Sequence, residues 1–456
     1  MKILLCNPKN DQGTKHSRKG MYAPLGILSI ATYIKNNLGG DVSIDVCDED
    51  IEVLDIARFG NYDLVGFYAT TFNYGQAAEY AYFAKDYGCL TVLGGPHASV
   101  LADKIMANKR CFDYIIKFEA EIPFLQLLKH LLNIGKVSLE DIVNLVYRSK
   151  SGEPVSNKGS LVNDLMELPI PSRDFVDFNR YIKNCQDMYP QKENFLAGSI
   201  YSCKGCSWRD KTGGCVFCAR LEQGLRFRDI DQIWSEIELL KDKYSINSIW
   251  DISDDNLNNK EWFKKFVDSR PRSCQNISFF IYSRVNMIQP QMIPLFKELN
   301  VEEVFLGVES GDNSLLKKSF KGQSRDSILK AIKLLRESSI KYFPSIVLGL
   351  PDESIESLEN TYRLCQEISG IGGLDRMSTT TLKPIPGSRS FEMVIDGTSL
   401  GKDLRSKDEI DLSFLEQYWA LNFTKVDFKT ILEYKNKIDG LMKEVRVFGS
   451  STQKED

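Results

Sequence analysis

The stretch CKGCSWRDKTGGCVFC, from Cys203 to Cys218, holds four of the chain's eleven cysteines as two C-x-x-C pairs eight residues apart. Thiolates at such spacing hold metal. Four of them close a tetrahedron round a structural zinc, as in zinc ribbons. Three of them hold three corners of a four-iron cluster and leave the fourth iron open for chemistry. Zinc ribbons sit on small hairpins. This loop instead follows a strand pattern at 195–201 and precedes a helical pattern at 230–244. It therefore lies at the carboxyl end of the first strand of an alternating series, where parallel barrels keep their active sites. That position favours iron. The remaining cysteines, Cys6, Cys47, Cys89, Cys111, Cys185, Cys274 and Cys365, are scattered and read as small buried hydrophobes.

The elements that must position the loop follow from periodicity. Strand patterns recur at FLAGSIY (195–201), SIWDI (248–252), ISFFIY (277–282), EEVFLG (302–307), FPSIVLG (343–349) and MSTTTL (377–382), separated by helical patterns. The clearest helix, 230–244, puts Ile230, Ile233, Trp234, Ile237, Leu240 and Tyr244 on one face, with Asp229 placed to cap it. Six βα units in series predict a partial parallel barrel. The first 140 residues alternate too. Strands are expected at 2–6, 43–48, 62–69, 91–95 and 114–118, and helices at 25–37, 75–87 and 124–132. Such alternation implies an open, mostly parallel sheet whose ligand loops follow residues 6, 69 and 95. Residues 141–194 are expected to be an irregular linker, with LPIPSRDF (168–175) as an extended connector. The division is therefore 1–140, linker 141–194, barrel 195–395 and a small helical element 396–456.

Composition limits the partners. A net charge of −4 and a pI near 5.7 leave no basic footprint for nucleic acid. MKILLCNP is too short an apolar run for a signal peptide, and no stretch reaches the roughly 20 apolar residues of a membrane span. The expected location is the cytoplasm, with neither membrane nor nucleic acid as partner.

The cysteine loop resembles that of the radical S-adenosylmethionine (SAM) superfamily, in which three cysteines hold a 4Fe-4S cluster and SAM chelates the fourth iron. One electron then cleaves SAM to a 5′-deoxyadenosyl radical. Ser202-Cys203-Lys204-Gly205-Cys206 and Cys215-Val216-Phe217-Cys218 carry the resemblance. It assigns Cys206, Cys215 and Cys218 as catalytic metal ligands. The family's first gap is usually three residues and here it is eight, with Gly213 and Gly214 able to fold the longer loop back; Cys203 stands as the alternative first ligand. Trp208 and Arg209, inside that gap, are read as braces of the loop or, second, as substrate contacts. Phe217 would wall the cluster and stack near adenine, or serve as plain core. IWDISDDNL (249–257) is similar to the family's second-strand segment, so Asp254 and Asp255 would approach the SAM amino group; a polar strand end with a cap at Asn256 is the other reading. YSRVN (282–286) implies that Arg284 holds the SAM carboxylate. FLGVESG (305–311) implies that Glu309 accepts from ribose or amino group, and a carboxylate there needs a partner. IVLGLPDES (346–354) implies that the backbone near Val347 lines the adenine, and LKPIPGS (382–388) matches the sixth strand end.

YAPLGILSIATYI (22–34), DLVGFYATT (63–71), VLGGPHAS (92–99) and DYIIKFEAE (113–121) resemble the cobalamin-binding domain of B12-binding radical SAM enzymes. The resemblance makes Gly94 and Gly95 cofactor-binding residues. The D-x-H-x-x-G cobalt-ligand motif is absent: His16 lies in DQGTKHSRKG, which does not fit it, and His97 is expected to shape its loop. FEAE departs from the family's usual G-E-G-E. The fold class implied is α/β, a Rossmann-like cobalamin-binding-type domain before a partial (βα)6 TIM-type radical SAM barrel. The implied cofactors are the cluster, SAM and cobalamin. The implied function is methyl transfer to an unactivated carbon of a small molecule, with an electron from a ferredoxin- or flavodoxin-like donor. Radical rearrangement, deoxygenation or cyclisation is the second reading. A zinc-stabilised binding protein and a non-catalytic corrinoid carrier are readings from other classes.

Overall fold

The computed structural model describes residues 1–10, 20–162 and 164–451. The chain forms two compact units. Unit 1 comprises Met1–Gly198, Arg220–Glu222 and Ile395–Ile410; unit 2 comprises Ser199–Ala219, Gln223–Val394 and the residues from Asp411 on.

Unit 1 is built on β1 (Lys2–Asn7), β2 (Ser43–Asp48), β3 (Leu64–Tyr68), β4 (Leu90–Gly94), β5 (Tyr114–Ile116), β6 (Leu145–Arg148) and β7 (Pro154–Ser156), in the order β2-β1-β3-β4-β5-β6-β7. The first five pair in parallel, with Ile3 opposite Leu64 and Leu64 opposite Leu90. Ile3, Leu4, Leu64 and Val65 are fully buried, as strands covered on both faces require. Chain order reverses between β1 and β3, so the loops after them flank a topological switch point, the usual ligand edge of such sheets.

Three expectations need correction. A helix, Pro96–Asn108, follows β4; Pro96 at its first position and Gly95 before it, at φ 98°, read as a loop in sequence. Residues 145–156, expected to be irregular, form β6 and β7, which pair antiparallel onto β5. Three- and four-residue strands carry too little periodicity to be seen. The expected linker also contains a helix, Phe178–Met188, that buries Phe178, Tyr181, Ile182 and Cys185.

Unit 2 adds β8 (Ala197–Ile200), β9 (Cys203–Lys204), β10 (Arg226–Phe227), β11 (Ser248–Asp251), β12 (Ser278–Arg284), β13 (Val301–Glu309), β14 (Lys341–Leu348) and β15 (Ser378–Thr381). Its six-stranded sheet runs β15-β14-β13-β12-β11-β8, following chain order, with parallel registers from β11 to β15, the topology of a curled half-barrel. The helix Ile230–Tyr244 buries Ile233, Trp234, Ile237 and Leu240, and Asp229 caps it by accepting from Gln232 N at 3.0 Å. Its buried face also carries Glu236, paired at 2.6 Å with Arg228, each 1% exposed. The segment after residue 395 is split: 395–410 belongs to unit 1, while the helices Leu412–Phe423 and Phe428–Ser451 belong to unit 2.

Candidate active site

The cysteine loop leaves β8 through a buried polar knot. Asp251, at the carboxyl end of β11, accepts from the hydroxyls of Ser202 and Ser253 and from Asn256 Nδ2. β9 then pairs antiparallel with β10, Cys203 opposite Phe227. Gly205 closes this hairpin at φ 93°; a Cβ there would lie 1.7 Å from Gly224 O, so only glycine fits. Residues Ser207–Thr212 form a short helix, and Gly213 (φ 78°) and Gly214 (φ 93°) turn the chain back to Cys215. The expected use of the two glycines is the one observed.

This segment is fixed at several points. Ser207 donates to Asp255 from its backbone N at 3.1 Å and from its hydroxyl at 2.9 Å. Trp208 Nε1 donates to Phe320 O at 2.6 Å, and its ring fills the place that a Cβ on Gly322 would occupy. Arg389 donates to Thr212 O and stacks on Phe320. Trp208 is a brace. Asp255 also serves the loop, and burial pushes its carboxyl up against the opposing pull of Ser207 and Arg284. Asn256 does not cap by its side chain but binds Asp251; the following helix is capped by Asn259.

Exposure separates the cysteines. Eight of the eleven are buried, Cys203 among them; the three that are not are Cys206, Cys215 and Cys218. Burial pushes the Cys203 thiol well up, and Ser253 and Asp251 surround it. Cys215 lies within charge range of Cys206, Cys218, Lys321 and Glu309.

Glu309 ends β13 where its register with β14 shifts, and the residue is held at φ 67°. A non-glycine residue in the left-handed region at a bulge is strained, a state held only by its surroundings. Here the holding group is Lys321, whose Nζ meets Glu309 Oε1 at 2.7 Å with both side chains under 10% exposed. The partner that Glu309 needs is thus in the chain itself. Gly307 leaves room for the pair, since a Cβ there would lie 2.7 Å from Lys321 Nζ and 2.8 Å from Glu309 Oε1. Lys321 Nζ also stands over the half-buried Phe217 ring at 5.9 Å.

Arg284 ends β12 with its guanidinium 4.4 Å from the centre of the Trp208 ring. Its Nε is buried and meets no acceptor among the described residues. A half-buried guanidinium with a buried, unmet donor fits a carboxylate ligand. Asp254 is half-buried and within charge range of Cys203. Val347 is buried on β14, just before the turn at Gly349. That turn is tied by Glu353, which accepts from Gly349 N and Leu350 N, and by Trp419 Nε1, which donates to Gly349 O at 2.7 Å. Lys321, Asp251, Glu353 and Trp419 were not foreseen. Only the demand that Glu309 be paired pointed to the first of them.

In unit 1, Gly95 approaches β3 so closely that a Cβ would lie 2.5 Å from Ala69 O, while Gly94 O accepts from Ala69 N at 2.9 Å. His97 is buried, stacked on Tyr74 at 4.2 Å, with Nδ1 on Thr71 Oγ1 and Nε2 on Asp408 O. Neither ring nitrogen is left for a metal. His16 lies outside the described residues.

The radical SAM superfamily model matches residues 200–365, and the B12-binding domain model matches residues 13–128. The chain carries a B12-binding domain followed by a radical SAM domain. A radical SAM domain works with a 4Fe-4S cluster and SAM, and a B12-binding domain with cobalamin. The enzyme is 28% identical over 407 residues to an uncharacterized methyltransferase of Pyrococcus horikoshii, covering 87% of this chain and 83% of that one. It is 22% identical over 386 residues to the anaerobic magnesium-protoporphyrin IX monomethyl ester cyclase of Rubrivivax gelatinosus, covering 80% and 66%. Among solved structures, the radical SAM methyltransferase TsrM of Kitasatospora setae, with cobalamin and a 4Fe-4S cluster bound, matches at a TM-score of 0.70 and 15% identity over 87% of this chain and 75% of that one. The cobalamin-dependent radical enzyme OxsB matches at 0.63 and 16% identity over 88% of this chain and 56% of OxsB, so the chain spans little more than half of OxsB's length. These likenesses establish the half-barrel and the sheet before it. No helix among the described residues is long and apolar enough to cross a membrane.

Proposed function

We propose that this radical SAM enzyme is a cobalamin-dependent methyltransferase acting on an unactivated carbon of a small molecule, with Cys206, Cys215 and Cys218 as cluster ligands. The observation that carries the reading is that those three cysteines, and no others, are only half-buried, on a loop at the carboxyl end of the first half-barrel strand. It also favours Cys206 over the buried Cys203 as first ligand. When bound, the cluster supplies the electron that cleaves SAM, and cobalamin supplies the methyl group. The chain's own residues bind and orient. Arg284, braced on Trp208, has a donor free for the SAM carboxylate. The Glu309–Lys321 pair fills the floor beside Phe217, so that Glu309 supports the site and its second oxygen remains the one for ribose or amino group. The backbone before Gly349, tied by Glu353 and Trp419, is a rigid edge for adenine near Val347. Gly94 and Gly95 shape the edge where a corrinoid would rest, and cobalt has no ligand from His97. The electron would come from a ferredoxin- or flavodoxin-like donor. The name of the Pyrococcus relative supports methyl transfer; the cyclase relative favours a radical cyclisation as second reading.

Anaerobic reconstitution with iron and sulfide, followed by electron paramagnetic resonance with and without SAM, tests this. A 4Fe-4S signal that shifts on adding SAM, is lost in Cys206→Ala and persists in Cys203→Ala is expected. Zinc with no iron signal, or loss of the signal in Cys203→Ala alone, would overturn the ligand assignment. Methylcobalamin binding followed by visible spectroscopy separates a corrinoid enzyme from one that retains the domain without its cofactor.

A further inference from the structure

We propose that Arg209 raises the reduction potential of the cluster by holding its charge on the sulfur of Cys218; this rests on the cluster reading above. Arg209 lies within the eight residues that separate Cys206 from Cys215. Its Nη2 donates to Cys218 Sγ at 2.7 Å. The contact requires the side chain to double back along its own loop, and Gly214 makes that possible. A Cβ at Gly214 would lie 3.4 Å from both Cγ and Nε of Arg209, a tight fit, and the φ of 93° is one that other residues rarely adopt. The residues on either side of Arg209 are held independently, Trp208 by Phe320 O and Thr212 by Arg389. The guanidinium is therefore delivered to the sulfur by a fixed frame.

A guanidinium stays charged at any working pH. A ligand sulfur carries much of the electron density that a cluster gains on reduction. A cation in contact with that sulfur stabilises the reduced form over the oxidised one, and hydrogen bonds to cluster sulfurs and net charge are what set such potentials. The long first gap thus does more than span a distance: it carries a cation to a ligand sulfur.

The test is a redox titration of the reconstituted full-length enzyme, followed by electron paramagnetic resonance, for the native protein, Arg209→Met and Arg209→Lys. At one fixed potential the ratio of reduced to oxidised cluster is expected to fall about tenfold in Arg209→Met, which is about 59 mV for one electron, and to stay near the native ratio in Arg209→Lys. Equal potentials in all three proteins would overturn the proposal and leave Arg209 a brace. An equal fall in both variants would overturn it too, because loss of packing and not of charge would then be the cause. If Arg209→Met takes up no iron, Arg209→Gln, closer in shape and also neutral, decides by the same comparison. A native protein that forms no 4Fe-4S cluster would defeat the underlying reading instead, so the two failures are distinct.

Discussion

Lys321→Met leaves the Glu309 carboxylate buried without its counterion. The pair is short, at 2.7 Å, and Glu309 and Lys321 side chains are 6% and 8% exposed, so water cannot replace the missing ammonium. Removing one partner of a buried pair costs about 3–5 kcal/mol. Glu309→Gln alone strands the ammonium and is expected to cost a similar amount. Replacing both removes both stranded charges, and such neutral replacements are often near zero in cost. The double variant Lys321→Met/Glu309→Gln is therefore expected to be more stable than either single variant, with a coupling of several kcal/mol. The backbone at Glu309 sharpens the expectation: its φ of 67° is a strained conformation of order 1–3 kcal/mol, held in place by the ion pair. The assay is urea unfolding of the four proteins, read by circular dichroism at the transition that includes the half-barrel. If the double variant costs the sum of the singles to within about 0.5 kcal/mol, the residues are independent and the pair does not hold the bulge.

Other perturbations have equally definite outcomes. Gly205→Ala places a methyl group on Gly224 O at a φ of 93°, so the β9–β10 hairpin is expected to open and reconstitution to lose most of its iron, measured by iron content per chain. Burial pushes the His97 imidazole down to about 4. The unfolded chain therefore binds the proton first as pH falls, and the stability that neutral His97 contributes is full above about 6.5 and is lost as pH falls through 4; His97→Gln should flatten the thermal midpoint across that range. Burial pushes the Glu353 carboxyl up to about 8, against the pull of the Gly349 and Leu350 amides. Its contribution is full below about 4.3 and is lost as pH rises through 8; Glu353→Gln, which keeps an acceptor for both amides, should remove that alkaline loss in the same measurement.

The central barrel strands were readable because they are apolar runs ending in a glycine or a polar residue. ISFFIY and FPSIVLG sit on β12 and β14 within a few residues. The cysteines were readable from their paired spacing, and Arg284 and Glu309 because they end strands, where a polar residue after an apolar run has few structural uses. What surrounds them was not. Lys321, Asp251, Glu236 and Glu353 are charged residues in ordinary-looking stretches, and a carboxylate looks the same in sequence whether water or a buried cation faces it. Cys203 and Cys206 are likewise equivalent in a string of letters. Their difference in exposure arises from Ser253 and Asp251 closing over one of them, some fifty residues further along. β6 and β7 escaped because three or four residues cannot establish a period, and residues 395–410 escaped because membership in a distant unit leaves no local mark.

That last segment has a consequence for how the protein is made. Tyr74 donates to Asp408 Oδ2 at 2.6 Å and His97 meets Asp408 O, both from buried positions in unit 1. The ribosome finishes the first 198 residues of that unit long before it reaches Asp408. Roughly two hundred residues intervene, about 10–40 s of synthesis at 5–20 residues per second. Throughout that interval the Tyr74 hydroxyl and the second ring nitrogen of His97 lack the acceptors that Asp408 provides, while the half-barrel emerges behind them. Unit 1 closes only when the half-barrel's strands have all been made, so a chain truncated between the two units would be left with an unsealed face, a natural target for chaperones and proteases.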